Sequence, residues 1–149
     1  MAKRKRGTGP KFVIVYEWEM QTAAYQTLSS DARSLLFEFR RAYNGQENRL
    51  IFSVRQMAER LGISTKPAQK ARDELIERQW IRLITPGSFN RKVKHASVYA
   101  LESEPIYGHD GDTAPKGYLS WQPPEQKSTV VSLTTDSGQF DHRGIRESA

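Results

Sequence analysis

The amino-acid sequence contains no cysteine and no long apolar run, and each absence excludes a class of protein. Without cysteine the chain has no disulfide framework, no thiolate metal site and no cysteine nucleophile. The longest apolar stretch, residues 12–16, is far shorter than the roughly 18–20 residues that span a bilayer, and it is too short for a signal-peptide core. We therefore expect neither a membrane protein nor a disulfide-stabilised secreted protein.

Hydrophobic residues are also scarce, at 37% of the 149 residues, against about 45–50% in an average globular chain. The charge is uneven. Residues 1–101 hold 19 lysines and arginines against 9 acidic residues, whereas residues 102–149 hold 4 against 8. This asymmetry predicts a basic body that meets a polyanion and an acidic segment that does not.

The two ends of the chain differ in composition from its middle. Residues 1–11 combine glycine and proline with a basic cluster and predict a flexible arm. Residues 102–149 are rich in Pro, Gly, Ser, Thr and Asp and predict an acidic, largely irregular or disordered tail. Docking of residues 102–122 through scattered aromatic side chains is left open. Those side chains are Tyr107, Tyr118 and Trp121, and the cations of the arm are Lys3, Arg4, Lys5 and Arg6.

The first strong helix signal begins at Ser29, a good N-cap residue. Apolar residues then recur every three or four positions until Asn44 and Gly45, which tolerate the left-handed conformation that ends a helix. Residues 12–18 precede it as a short strand or an extended lead-in, and residues 23–28 as a short helical turn. Residues 49–52 predict a short strand after the helix.

Two further helices follow closely. Ser53 caps the second, which Gly62 ends, and Ser64 caps a third over about residues 65–78. The third helix turns alanine and leucine inward and presents a polar stripe on its outer side. The stripe consists of Lys66, Gln69, Lys70 and Asp73.

Residues 80–84 and 97–101 both have the composition of strands. The segment TPGSFNRKVKHA between them, with its Pro-Gly pair, predicts a hairpin with a long basic loop. The fold class is therefore mainly α with a small β-hairpin. Residues 12–101 form one domain in the order α-β-α-α-β-β.

This order is the plan of a winged helix, and residues 54–75, VRQMAERLGISTKPAQKARDEL, resemble a helix-turn-helix. Ala58 supplies the small residue where two helices cross, and Gly62 supplies the turn residue with positive φ. Residues 20–101 are similar to the DNA-binding domains of phage and plasmid proteins, including winged-helix replication initiators and regulators. One departure stands out: related domains usually have glycine where this chain has Gln79, so the end of the third helix is expected to differ in detail.

The resemblance implies binding to double-stranded DNA, with the third helix in the major groove. Glutamine pairs with adenine and lysine with guanine, so Gln69 and Lys66 or Lys70 are the best candidates for reading bases. The candidate base-reading set is Thr65, Lys66, Gln69, Lys70 and Asp73. The candidate backbone-binding set is Ser53, Arg55, Ser64, Arg91, Lys92 and Lys94. Arg40, Arg41, Arg49 and Arg55 also lie where some of them should contact phosphate. The arm at Lys3, Arg4, Lys5 and Arg6 is either a groove contact or a passive tail.

Three functions fit this interpretation. The leading one is a sequence-specific transcriptional regulator of phage or mobile-element origin, cytoplasmic and associated with the nucleoid. The second is a plasmid or phage replication initiator that binds origin repeats. The third is an adaptor whose winged helix binds RNA polymerase or another protein. A homodimer or multimer on DNA, and a protein partner held by the tail, such as RNA polymerase or the replication machinery, are left open.

Nothing in the sequence predicts an enzyme, a cofactor or a metal site. The three histidines, His95, His109 and His142, fall in the predicted hairpin loop and the tail. The acidic residues that follow His109 lack further ligands at helical spacing and favour a solvated loop. No phosphate-binding loop, GxSxG or HExxH motif occurs.

Overall fold

A computed structural model describes residues 9–90, 93–106 and 113–124. Within those ranges the chain is mixed, with five helices and a three-stranded antiparallel sheet. The helices are α1 (Glu17–Met20), α2 (Ala23–Gln26), α3 (Ser30–Ala42), α4 (Val54–Leu61) and α5 (Thr65–Glu77). The strands are β1 (Leu50–Phe52), β2 (Ile81–Thr85), β3 (Ser88–Asn90), β4 (Val93–His95) and β5 (Ser97–Leu101), and a 3₁₀ helix covers Gly117–Leu119.

The helix boundaries follow from local chemistry. The Ser29 hydroxyl accepts a hydrogen bond from the Ala32 amide at 3.2 Å, and the Ser53 hydroxyl accepts one from the Gln56 amide at 3.1 Å. Each satisfies a backbone donor that a helix leaves unpaired. Gly62 ends α4 in the left-handed region, at φ 66°. The predicted starts of α3 and α4 and the end of α4 are confirmed. Of residues 12–18, predicted as a short strand or an extended lead-in, residues 12–16 are extended without forming a strand, and residues 17–18 belong to α1.

The sheet has the strand order β1-β5-β2, and both pairings are antiparallel. Leu50 pairs with Tyr99 and Ile81 with Leu101, and the register between β2 and β5 shifts between Leu83 and Thr85. The predicted hairpin of β2 and β5 is present, and β1 pairs with the edge of β5 that faces away from β2.

The segment between β2 and β5 is more regular than the predicted loop. The strands β3 and β4 pair with each other, Ser88 opposite His95 and Asn90 opposite Val93. The Gly87 amide donates to the Ser97 hydroxyl at 2.9 Å. Pro86 has no amide hydrogen to donate to a ladder, so the Pro-Gly pair interrupts the hairpin and does not form its turn. The hairpin is therefore longer than predicted.

The core lies between α3, α5 and the sheet. Phe39 meets Phe52 and Tyr99 edge-on, with ring centroids 4.9 and 5.3 Å apart. Trp80 is buried, and its ring stacks on that of Tyr118 at 4.0 Å. The Trp80 indole also donates a hydrogen bond to the carbonyl of Ala24 at 3.2 Å. Packed aromatic pairs of this kind contribute about 0.5–1.5 kcal/mol beyond their burial.

Part of the predicted tail belongs to this core. Tyr118 is 1% exposed and Ile106 5% exposed, and Trp121 packs against the same cluster. The buried side chain of Asn48 holds the chain where β5 ends, because its amide donates to the Leu101 carbonyl and its oxygen accepts from the Leu101 amide, both at 2.7 Å. Tyr107 lies outside the described residues.

The end of α5 keeps the left-handed turn despite the missing glycine. Gln79 has φ 60°, and the Trp80 amide donates to the Leu75 carbonyl at 2.9 Å. For a residue with a Cβ this conformation costs roughly 1–2 kcal/mol. Gly117 lies against the Gln79 side chain; a Cβ there would come 3.0 Å from the Gln79 Cβ and would require the Gln79 amide to move. The expected difference at this position therefore lies in the side-chain packing and not in the backbone path.

Candidate nucleic-acid interface

Helices α4 and α5 form a close pair joined by a three-residue turn. Met57, Ala58 and Ala68 are buried between them, and the Ile63 amide donates to the Ala58 carbonyl at 3.1 Å. Small side chains allow the two backbones to approach, and the left-handed Gly62 sets the direction of the second helix. This pair fixes the orientation in which α5 presents its outer face.

The outer face of α5 is polar along its length. All five residues of the candidate base-reading set are exposed on it: Thr65, Lys66, Gln69, Lys70 and Asp73. They differ in their local partners, because Asp73 accepts hydrogen bonds from Arg72 Nε at 3.0 Å and Nη2 at 2.7 Å. Asp73 therefore carries its own counter-ion. The glutamine, the two lysines and the Thr65 hydroxyl supply the donors of this face.

Arg72 is a residue that the sequence interpretation missed. Its side chain is only 20% exposed and lies beside Asp73. Burial opposes its charge, but the hydrogen bond to Asp73 and the nearby Tyr99 hold the pKa of Arg72 above its usual value. The guanidinium therefore stays charged. Arg72 is seven residues after Thr65, two helical turns along the same helix, and that spacing was the available signal.

A groove of about 720 Å³ separates α5 from the hairpin. Its apolar lining includes Val54, Ile76, Leu83 and Tyr99. Four of the candidate site residues meet along it although they come from two different helices. They are Ser53, Arg55, Thr65 and Asp73. Lys66, Gln69 and Lys70 do not line this groove and lie on the solvent side of the same helix.

The two serines predicted as caps behave differently. Ser53 takes part in a full capping box, in which Gln56 Oε1 accepts from the Ser53 amide at 2.9 Å. Ser64 occupies the N-cap position of α5, but its hydroxyl makes no capping hydrogen bond. Ser64 therefore stands at the predicted N-cap position without making the predicted capping hydrogen bond. Its hydroxyl lies at the helix end where the backbone dipole favours an anion.

The arginines predicted near phosphate divide into two groups. The Arg40 side chain is 10% exposed and forms a bidentate pair with Glu19 at 2.7 and 2.8 Å, and it also donates to the Ile14 carbonyl at 2.8 Å. Its guanidinium is engaged inside the fold, so the phosphate contacts predicted for some of these four arginines stay a prediction for the other three. Arg41, Arg49 and Arg55 remain exposed, by 70, 57 and 85%. Their ion pairs with neighbouring glutamates are exposed ones, which contribute little.

Of the three candidate backbone-binding residues in the hairpin, the structure describes one, and only its backbone. Lys94 lies in β4, paired with Phe89. Arg91 and Lys92 lie outside the described residues, as do Lys3, Arg4, Lys5 and Arg6 of the arm. The His95 imidazole accepts a hydrogen bond from the Ser88 amide at 3.2 Å.

Among the described residues no cluster of three histidine or acidic side chains could hold a metal ion. His109 and the acidic residues after it lie outside those ranges. No helix in the described ranges has the length and apolarity to cross a membrane.

Comparison of the whole chain with protein-family models, with curated proteins and with solved structures gave no match.

Proposed function

We propose that the protein binds double-stranded DNA in a sequence-specific manner through a winged helix-turn-helix. In this proposal α4 and α5 are the helix-turn-helix and the β2–β5 hairpin is the wing. The protein would act as a transcriptional regulator of phage or mobile-element origin.

One observation carries the proposal. Side chains from α4, α5 and the hairpin converge on one face, where α5 presents only polar residues to solvent along its outer side. A polar helix face is by itself no sign of a binding site, because most surface helices turn one polar face to solvent. Here it projects from a helix held by a tight turn and flanked by a hairpin rich in cations, which is the arrangement that a helix-turn-helix uses to enter a major groove.

The chemistry of the face assigns roles to its residues. Gln69 offers the paired donor and acceptor that match adenine, and Lys66 and Lys70 reach guanine acceptors. Ser53 and Ser64 place helix N-termini where phosphates bind. Arg55 and the hairpin cations add sequence-independent attraction to the backbone.

A specific feature favours a second candidate, the adaptor that binds protein. Apolar atoms make up most of the surface of the groove between α5 and the hairpin, although polar side chains also line it, and Leu83 is 41% exposed there. An apolar groove suits a helix or strand of a protein partner better than a phosphate backbone. The two candidates differ in one property, because the adaptor has no preferred DNA sequence.

Selection of bound duplexes from a random pool, with the full chain as bait, tests the proposal. We expect an enriched motif; a palindromic motif indicates a regulator, and direct repeats indicate a replication initiator. Absence of any enriched motif, together with weak binding, would contradict sequence-specific recognition and favour the adaptor.

The hairpin is tested by salt dependence. The triple substitution Arg91→Ala, Lys92→Ala and Lys94→Ala removes three cations, and each lost phosphate contact lowers the slope of log affinity against log salt by about 0.9. We expect a flatter slope with the same preferred sequence. An unchanged slope contradicts the assignment of the hairpin as a wing.

A further inference from the structure

A second surface, distant in the fold from the α5 groove, carries a concentration of exposed rings. Phe12 is 78% exposed, Tyr16 52% and Trp18 44%, and Ile14 between them is 46% exposed. Single exposed apolar residues are common on proteins, but a contiguous group marks an interaction site. We call Phe12, Tyr16 and Trp18 the aromatic ledge.

The ledge lies beside two adjoining clefts. The rings of Tyr16 and Trp18 stack with centroids 5.7 Å apart and planes 14° from parallel. The clefts measure about 410 and 770 Å³, and Phe12 and Tyr43 line both of them. Neither cleft shares a lining residue with the groove beside α5. The ledge is therefore a separate surface.

Cations frame the ledge. Lys11 and Arg41 line the larger cleft, and Lys116 lines the smaller one, with its ammonium 5.9 Å from the centre of the Trp18 ring. All three are exposed.

Three acidic residues lie at or near this surface, and only one is fully exposed. Glu19 is buried and neutralised by Arg40. Glu104 is half-buried, and burial raises the pKa of its carboxyl. Glu17 is the exposed one, so the accessible charge on this surface is positive.

We propose that the aromatic ledge binds single-stranded nucleic acid. Unpaired bases stack on Phe12, Tyr16 and Trp18, and Lys11, Arg41 and Lys116 contact the phosphates. Aromatic side chains interleaved with cations are the combination that holds single strands, since every base offers a π-face. A duplex keeps those faces stacked inside and presents only base edges, so this surface discriminates against it.

Charge disfavours a second copy of the chain as the occupant. A two-fold interface sets a patch against its own copy. Such an interface would bring Lys11, Arg41 and Lys116 towards the same cations of the partner, and like charges across an interface oppose association. A polyanion meets the same cations favourably.

The test is fluorescence anisotropy of a labelled oligothymidylate titrated with the full chain. Phe12→Ala is the first variant, because Phe12 precedes α1 in a segment without regular structure and lies outside the core. The paired variant Tyr16→Ala with Trp18→Ala is the second. Phe37→Ala is the matched control, since Phe37 is 41% exposed on α3 and lines neither cleft.

We expect each lost stacking ring to weaken oligothymidylate binding by about 5- to 150-fold, with Phe37→Ala close to wild type. A parallel titration with oligouridylate, which carries 2′-hydroxyls, distinguishes DNA from RNA as the ligand. Loss of binding to either polymer in the ledge variants, with duplex affinity retained, supports the proposal.

Three results overturn it. The first is oligonucleotide binding that is absent or is unchanged by the ledge variants. The second is a parallel loss of duplex affinity, which indicates one shared site. The third is sedimentation showing that the variants turn a dimer into a monomer without loss of oligonucleotide binding. Failure of duplex binding alone, with the wild-type chain binding single strands and the ledge variants losing that binding as predicted, refutes the proposed function and leaves this inference standing.

Discussion

Polar side chains are buried and hydrogen-bonded in the core of this molecule, whereas on the outer face of α5 they are exposed to solvent. Glu19, Asn48 and Glu102 are buried, and each is hydrogen-bonded to a partner distant in sequence. On the outer face of α5, the residues of the candidate base-reading set are all exposed. A basic or polar side chain that folding pairs inside the structure is not available for a ligand, whereas one left exposed on a helix face is. Arg40 and Lys70 illustrate the two outcomes.

The largest loss in the free energy of unfolding is expected from shortening the chain. Truncation after Leu101 removes Tyr118 from the face of Trp80 and removes Glu102 from Arg82, where the two side chains meet at 2.8 Å. We expect a loss of at least about 3–5 kcal/mol, the range found for deletion of one buried aromatic side chain. Urea unfolding followed by circular dichroism measures it.

Truncation after Pro124 is the matched control, because it leaves every described contact in place. We expect that form to unfold at the same urea concentration as the full chain. Equal stability of the two truncated forms would show that residues 102–124 do not belong to the core.

The next largest effect concerns the two adjacent arginines of α3. Arg40→Met leaves Glu19 buried without its partner, and removal of one member of a buried pair costs about 3–5 kcal/mol. Arg41→Met removes an exposed pair and should cost less than about 0.5 kcal/mol. Thermal melts of both variants compare them directly. A similar melting temperature for the two would contradict the division between buried and exposed arginines.

Glu19 also sets a pH dependence. Burial works to raise the pKa of Glu19, but hydrogen bonds from Arg40 and from the Tyr16 amide outweigh it and hold the pKa below its ordinary value. Glu19 therefore stabilises the fold above the pKa that it has in the unfolded chain, near 4.3. That contribution is lost as pH falls through the lower pKa of the folded state. Glu104 has the opposite effect on the pH dependence of stability, because burial raises the pKa of its carboxyl and disfavours the charged form in the folded chain.

We expect Glu19→Gln to flatten the loss of stability between about pH 5 and pH 3. Glu17→Gln, in the same helix and exposed, should keep the wild-type slope. Unfolding free energies at several pH values provide the comparison, and an equally steep profile for Glu19→Gln would refute the role given to this carboxylate.

The smallest effect concerns the end of α5. Gln79→Gly relieves a left-handed residue and should stabilise the fold by about 0.5–1 kcal/mol. It also clears the space beside Gly117, so Gly117→Ala should be destabilising in the wild type and close to neutral in the Gln79→Gly background. A double-mutant cycle measures this coupling. Additive effects would mean that the two residues do not constrain each other.

Much of the fold was predictable because its signals are local. The caps at Ser29 and Ser53 and the left-handed Gly62 act within a few residues of where they stand. The second ladder of the hairpin was missed, because a Pro-Gly pair that usually marks a turn here only interrupts the pairing.

The features that were not predictable depend on distant partners. Arg40 meets Glu19 across 21 positions, and Tyr118 donates to the same carboxylate across 99. The aromatic ledge gave no periodic signal, since an extended segment followed by a four-residue helix has no single period. By contrast, the outer stripe of α5 was fully predictable, because helical spacing alone places it.

In the proposed function α5 reads the DNA sequence, and the substitution Gln69→Ala probes this role. Gln26→Ala, at an exposed glutamine on α2, is the control. The measurement is the ratio of affinities for the selected duplex and for a scrambled duplex at fixed salt. Loss of one base contact should lower that ratio for Gln69→Ala by the factor that corresponds to about 1–3 kcal/mol of binding free energy. Gln26→Ala should keep the wild-type ratio. An unchanged ratio for Gln69→Ala, or an equal fall for both variants, would contradict this account.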